Sequence, residues 1–216
     1  MKILLYKDLI KTPIQENNEE IIEIKTDQFS YGYHKDKQDL AQQLQNKIMA
    51  RSTVINKLHA VQQTIAKHNP NWILHVYEGY RTSKIQTQRF LKRMAHICQE
   101  KFYTNAEDLY EKIHETVAVP SVAGHPTGGA VDVVILDNTT GIQIDFGSPI
   151  YDYSNGLYKS FHPDLTAEQK NNRKILRDAM MQNDFAPFDG EYWHFSYGDQ
   201  EWATFYNKPF AIYSQK

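Results

Sequence analysis

The sequence predicts a single α+β domain, residues 1–216, in which a mixed or antiparallel central sheet is flanked by helices. Three observations carry this expectation. The chain has the length of one full core and shows no repeat, low-complexity tract or linker that would divide it. Short apolar, β-branched or aromatic runs at 72–77, 130–136 and 192–197 are bounded by Gly and turn residues, as strands are. Between them, stretches near 52–69, 84–102 and 167–183 repeat apolar residues at helical spacing.

In order along the chain, Ile21-Ile22-Glu23-Ile24 gives one edge strand among the loops of residues 1–35. Residues 36–51 are polar, and Leu40, Leu44 and Ile48 form a weak helical pattern; residues 1–51 as a whole carry the weakest signal. Ser52 reads as the cap of a helix built on Ile55, Leu58, Val61 or Gln62, and Ile65, which Asn69-Pro70 stops. Trp72–Tyr77 is a strand that ends at Gly79, with Arg81 at its exit and Thr82-Ser83 capping the next helix. The single cysteine, Cys98, excludes an intrachain disulfide and falls on the stripe Leu91, Met94, Cys98 and Phe102, so it reads as core packing. Residues 103–124 read as an irregular connection. His114-Glu115 within it is no zincin motif, because position 118 is alanine. After the strand at 130–136, Asp137–Gly141 is a turn and Ile142–Phe146 pairs back as a hairpin. A loop follows over 147–165, then a helix capped by Thr166 with Ile175, Met180 and Met181 facing inward.

Composition excludes several classes. Net charge is −2 and the sequence pI about 6.5, so neither nucleic acid nor an anionic membrane is an expected partner. Only four apolar residues precede the return of charge after Met1-Lys2, too few for a signal-peptide core, and no run approaches a membrane span. The expectation is a soluble cytoplasmic protein.

Two distant stretches carry chemistry: His125-Pro126-Thr127-Gly128-Gly129-Ala130-Val131-Asp132 and Glu191-Tyr192-Trp193-His194. Catalytic zinc takes three protein ligands from the His, Asp and Glu set and keeps a fourth position open. His125, Asp132 and His194 fit that role, which leaves Glu191 as a base. On one straight strand an offset of seven puts His125 and Asp132 on opposite faces, so a shared metal requires a bend. Pro126, Gly128 and Gly129 supply it. Asp132 is the lone charge in an apolar run, and a buried carboxylate is costly unless paired or bound to a cation. Glu191 and His194 are three apart, so Glu191 must sit at the strand's mouth rather than within it.

His125-x-x-Gly128-x-Ala130-x-Asp132 followed by Glu191-x-Trp193-His194 resembles the paired signature of the zinc D,D-peptidases, whose superfamily shares its fold with the hedgehog signalling domain. Gly79-Tyr80-Arg81 and Trp193-His194 resemble more narrowly the D-alanyl-D-alanine dipeptidases of the vancomycin-resistance type. The resemblance runs from about residue 52 to 206. It implies one Zn2+ per chain on His125, Asp132 and His194, with Glu191 as general base and Arg81 as transition-state stabiliser. With one extra residue in the alignment, Asp152 matches the acid that receives the substrate's free amino group. Two positions depart from the pattern: Ala123 stands where Ser is common, which puts one substrate hydrogen bond in question, and Thr82 stands where Pro is usual. The implied activity is hydrolysis of a small dipeptide, D-alanyl-D-alanine, in cell-wall peptidoglycan metabolism. The alternatives are a D,D-carboxypeptidase or cell-wall endopeptidase of the same superfamily, or a non-catalytic zinc-binding hedgehog-like domain. An intact Glu191 and Arg81 favour the enzyme. Glu78 reads as structural, Trp193 as packing beneath the metal and His162 as solvated loop. The other histidines, His34, His59, His68, His75, His96 and His114, receive no role.

Overall fold

In the computed structural model, which describes residues 4–216, the longest strands are the two most apolar runs. Along the chain lie α1 (Tyr6–Leu9), β1 (Ile21–Glu23), β2 (Ser30–Tyr31), α2 (Gln38–Gln43) and β3 (Met49–Arg51). Next come α3 (Ser52–His68), β4 (Trp72–Glu78), α4 (Ser83–Glu100), α5 (Ala106–His114) and β5 (Ala130–Asp137). The last elements are α6 (Ala167–Gln182), β6 (Ala186–Pro187), β7 (His194–Ser196) and α7 (Gln200–Phe205). The main sheet has the order β2-β4-β5-β7-β6, in which β2 and β4 are parallel and the other neighbours antiparallel. It is the mixed sheet of the expected α+β class. The strand β1 pairs with β3 in a separate two-stranded ribbon.

The core lies between this sheet and the helices α3 and α6. In α3 the buried set Val54, Ile55, Leu58, Val61 and Ile65 recurs at three- and four-residue steps, so one apolar face meets β4. Ser52 is not its cap. It is the first helical residue, and its hydroxyl donates to Glu19 at 2.8 Å. Thr82 does cap α4, accepting from the Ile85 N–H, and Thr166 forms a reciprocal capping box with Gln169 on α6. Arg51, wholly buried, donates to the Thr127 carbonyl at 2.7 Å, to Glu16 at 3.0 Å and to the Ser214 carbonyl at 3.1 Å.

Several expectations are corrected. Residues 103–124 contain α5, capped by Asn105, and its Tyr110 ring packs on Phe90 with centroids 5.4 Å apart. Missing that helix assigned the wrong face of α4 to the core. The buried apolar residues are Ile85, Phe90 and Ile97, whereas Leu91 and Cys98 are exposed and Phe102 is 84% exposed. Ile142–Phe146 pairs back without forming a regular strand: the antiparallel bridge of Leu136 with Gln143 is flanked by bonds from the Asp137 N–H to the Ile142 carbonyl at 2.8 Å and from the Ile144 N–H to the Ile135 carbonyl at 3.1 Å. On α6 the most buried apolar positions are Leu176 and Met180, and Met181 is only half-buried. The reading of the first residues as too short for a signal-peptide core falls partly on residues 1–3, outside the described residues. Among the described residues no helix is long and apolar enough to cross a membrane.

Leu176 supplies a stability test. Leu176→Ala should lower the unfolding free energy by about 2–5 kcal/mol, the range for emptying a packed leucine site. Urea denaturation measures it, and a loss below about 1 kcal/mol would place Leu176 outside the cooperative core.

Candidate metal centre

Asp132 on β5 and His194 on β7 are directly opposite residues of the antiparallel pair, which places both side chains on one face of the sheet. His194 Nδ1 lies 2.9 Å from Asp132 Oδ1. His125 reaches the same oxygen from a short turn, His125–Thr127, its Nε2 3.4 Å away. That turn ends at Gly128 with φ +74°, a left-handed conformation that favours glycine. It is the bend that strand parity requires. One donor atom from each of His125, Asp132 and His194 lies within 4.8 Å of the others.

Further contacts orient each donor. His125 Nδ1 sits 2.7 Å from the Gly79 carbonyl, which can only accept, so that nitrogen carries the proton and Nε2 offers its lone pair inward. The Tyr151 hydroxyl donates to Asp132 Oδ2 at 3.0 Å and leaves Oδ1 to the centre. His194 Nε2 faces Glu201 Oε2 at 3.5 Å, which turns Nδ1 inward. Two imidazoles and a carboxylate with inward-facing donors fit zinc. Burial opposes charge on Asp132, yet His125 and His194 hold its carboxyl well below the usual range. Burial lowers His125 below its ordinary value. For His194 burial acts the same way, but the hydrogen bonds to Asp132 and Glu201 outweigh it and hold the imidazole well above. A metal taking these donors would compete with protons for them.

Glu191 lies in the turn ahead of β7, as its spacing from His194 demands, and is 8% exposed. Burial, and then the charge of Asp132, push its carboxyl up to about 7, against the opposing pull of His194 and of the Tyr153 hydroxyl. That hydroxyl donates to Glu191 Oε1 at 2.6 Å. Arg81, at the exit of β4, is held by neighbours: its Nε donates to Glu78 Oε1 at 2.6 Å and one terminal nitrogen to Gln86 Oε1 at 2.8 Å. Burial opposes the charge on Glu78, but Arg81, Lys37 and Arg89 together hold its carboxyl far below the usual range. Glu78, read from the sequence as structural, is thus the anchor of Arg81. Gly79 must be glycine, since a Cβ there would drive into the Met49 carbonyl of β3.

A cavity of about 660 Å³ brings together Arg81, His125, Asp132, Glu191 and His194. Asp152 is not on its wall. Its carboxylate accepts from the Ser154 N–H at 2.9 Å, while its neighbours Tyr151 and Tyr153 face the cavity. Tyr151 holds a left-handed backbone, φ +66°, unusual for an aromatic residue. Its ring packs on Trp193 and under the Lys37 ammonium. Trp193 is fully buried beneath the site. Ala123, also on the wall, presents a methyl where the resemblance places a hydroxyl. Sequence reasoning missed Tyr151, Tyr153, Lys37, His114 and Glu201. No local pattern announced Tyr151 and Tyr153, because the loop leaves the extended conformation at Tyr151 and alternation does not fix the side that its residues share.

The sequence profile described as D-ala-D-ala dipeptidase matches residues 33–216. The D-alanyl-D-alanine dipeptidase of Synechocystis sp. is 29% identical over 180 residues, covering 73% of this chain and 72% of its own length. That of Enterococcus faecalis is 27% identical over 146 residues, 64% of this chain and 68% of its own. Among solved structures, an LD-carboxypeptidase described for its peptidoglycan recognition aligns over 87% of this chain and 71% of its own, at 18% identity and TM-score 0.47. A mutant of a vancomycin-resistance D,D-pentapeptidase in complex with Zn(II) aligns over 94% and 96%, at 15% identity and TM-score 0.48.

Proposed function

This chain belongs to the D-ala-D-ala dipeptidase family, and from that premise we propose that it is a zinc-dependent dipeptidase that hydrolyses D-alanyl-D-alanine in peptidoglycan metabolism. The observation that carries the reading is the convergence of His125, Asp132 and His194 with Glu191 and Arg81 in one cavity. Zinc held by those three residues would acidify water toward neutrality and polarise the scissile carbonyl.

The chain's own residues supply the rest. Glu191 takes the proton of the attacking water and passes it to the leaving amine, work suited to a carboxyl poised near neutral pH. A bound dication nearby would draw that value down, which favours the base form at the start of the cycle. Tyr153 fixes the orientation of Glu191 through its hydroxyl. All three guanidinium nitrogens of Arg81 already engage Glu78 or Gln86, so the donors it offers to the oxygen that gains negative charge are the second N–H of each terminal nitrogen. Because Glu78 and Gln86 hold the guanidinium in place, little reorganisation is needed as that charge develops.

A dipeptidase must also read a free amine, and Asp152 is the proposed acid. It reaches the cavity only if its loop turns, since its carboxylate now caps the Ser154 N–H. Free D-Ala-D-Ala should be cleaved more than about tenfold better in kcat/KM than its N-acetyl form, because an ammonium–carboxylate bond contributes about 1.5–3 kcal/mol. Assays of released alanine, run beside L,L dipeptides and a pentapeptide, measure this. Asp152→Ala should flatten the preference. Equal rates on free and acetylated substrate would move the protein to the carboxypeptidase reading, and a preference that survives Asp152→Ala would assign the amine to another residue. Cytoplasmic hydrolysis is part of the proposal, and fractionation that finds the protein outside the cytoplasm would favour a cell-wall endopeptidase or carboxypeptidase instead.

A further inference from the structure

The cavity is longer than a two-residue substrate. Its wall follows one face of α4 from Gln86 to His96, ten positions that rise about 15 Å along the helix axis. An extended dipeptide spans only about 7 Å.

Its two ends also differ in charge. Around the metal donors the wall mixes signs, the carboxylates of Asp132, Glu191 and Glu201 facing Lys37 and Arg81, and both of these cations are held by Glu78. Along α4 it carries Arg89, Lys92 and Arg93. Arg89 is committed to Glu78 at 3.3 Å. Lys92 and Arg93 form no ion pair among the described residues, and the Arg93 Nε is buried without a hydrogen-bond partner. Glu115, beside the cavity-lining Thr116, is taken up by Lys112 at 2.6 Å. The Arg93 side chain is half-buried on the cavity wall, and its terminal nitrogens, which unlike Nε are not occluded, are the atoms that an anion in the cavity would engage. The planar fork of an arginine matches a carboxylate with two parallel bonds, and an unpaired lysine one helical step away adds a second charge.

We propose that this wall is an anion-reading subsite, built by Arg93 with Lys92, which takes a second carboxylate carried on the side chain of a dipeptide substrate. Beside D-Ala-D-Ala, the enzyme then accepts dipeptides that pair D-alanine with an acidic residue and prefers them to their amide counterparts. This inference rests on the dipeptidase reading above. The wall's chemistry selects a carboxylate, and the position of the acidic residue, amino-terminal or carboxy-terminal, separates two forms of one ligand class.

The test compares D-Ala-D-Glu with D-Ala-D-Gln and D-Glu-D-Ala with D-Gln-D-Ala on the zinc-loaded full chain. One acidic member should exceed its amide by about tenfold or more in kcat/KM, the range of a charge-assisted bond. That ratio should fall to near one in Arg93→Gln and recover in part in Arg93→Lys. Calorimetry on zinc-loaded Glu191→Gln protein reads the same preference in affinity without turnover. Equal treatment of acid and amide in both measurements would overturn the subsite, as would a preference that survives in the Lys92→Gln, Arg93→Gln double variant. Tighter binding of the acid, abolished by Arg93→Gln, with no dipeptide cleaved would support the subsite and overturn the dipeptidase reading.

Discussion

Glu191→Ala should lower D-Ala-D-Ala turnover by at least about 10²- to 10⁴-fold, the contribution typical of a general acid–base, while zinc stays bound. The three donors converge without Glu191, whose carboxylate instead pairs with the Tyr153 hydroxyl at 2.6 Å. Removing it therefore takes away a proton carrier and leaves the donor set whole. Zinc content measured on the purified variant separates the two roles. Loss of metal from Glu191→Ala would make Glu191 a ligand and overturn its assignment as base. Glu191→Gln keeps the shape and the tyrosine contact, so it should match the alanine variant in turnover if proton transfer is the role.

His125→Ala and His194→Ala should each lose metal and activity together. Changing an outer partner of a zinc ligand already costs about 10- to 100-fold in metal affinity, so removing a ligand should cost more than about 100-fold. The outer partners of the two histidines are poor substitutes. Gly79, which orients His125, offers only a carbonyl, and Glu201 lies on the outer side of the His194 ring at 3.5 Å. Metal titration with a competing chelator gives the affinities. A variant that held zinc as tightly as the parent would remove that histidine from the site, and loss of activity alone would not rescue the assignment.

Much of this centre was legible in the sequence because strand parity is a strict constraint. An offset of seven demanded a bend between His125 and Asp132, and Gly128 at φ +74° provides it. An offset of three required Glu191 to lie outside the strand of His194, where it is found. What the sequence hid depends on long-range packing. Tyr153 is 38 positions from Glu191, and no local pattern announces their hydrogen bond. The face of α4 was misjudged because two apolar stripes compete on it. The cluster that α5 forms with Leu4, Leu9, Val119 and Val122 decides that Phe90 and Ile97 are covered while Leu91 and Cys98 meet water. Asp152 shows a different limit, since an aligned position does not determine which way a loop side chain turns.

The buried Arg51 has a consequence for the order in which the molecule assembles. Its guanidinium joins the Thr127 carbonyl of the metal loop to Glu16 and to the Ser214 carbonyl, and the Ser214 hydroxyl itself bonds Glu16 across 198 positions of chain. Closing so large a loop is entropically costly and tends to come late. The turn that presents His125 is therefore braced only after both flanks of the chain have docked. Zinc capture should be a finishing step of folding rather than its nucleus. In refolding with a zinc-sensitive dye, metal uptake should lag the recovery of helical signal, and simultaneous traces would contradict that order.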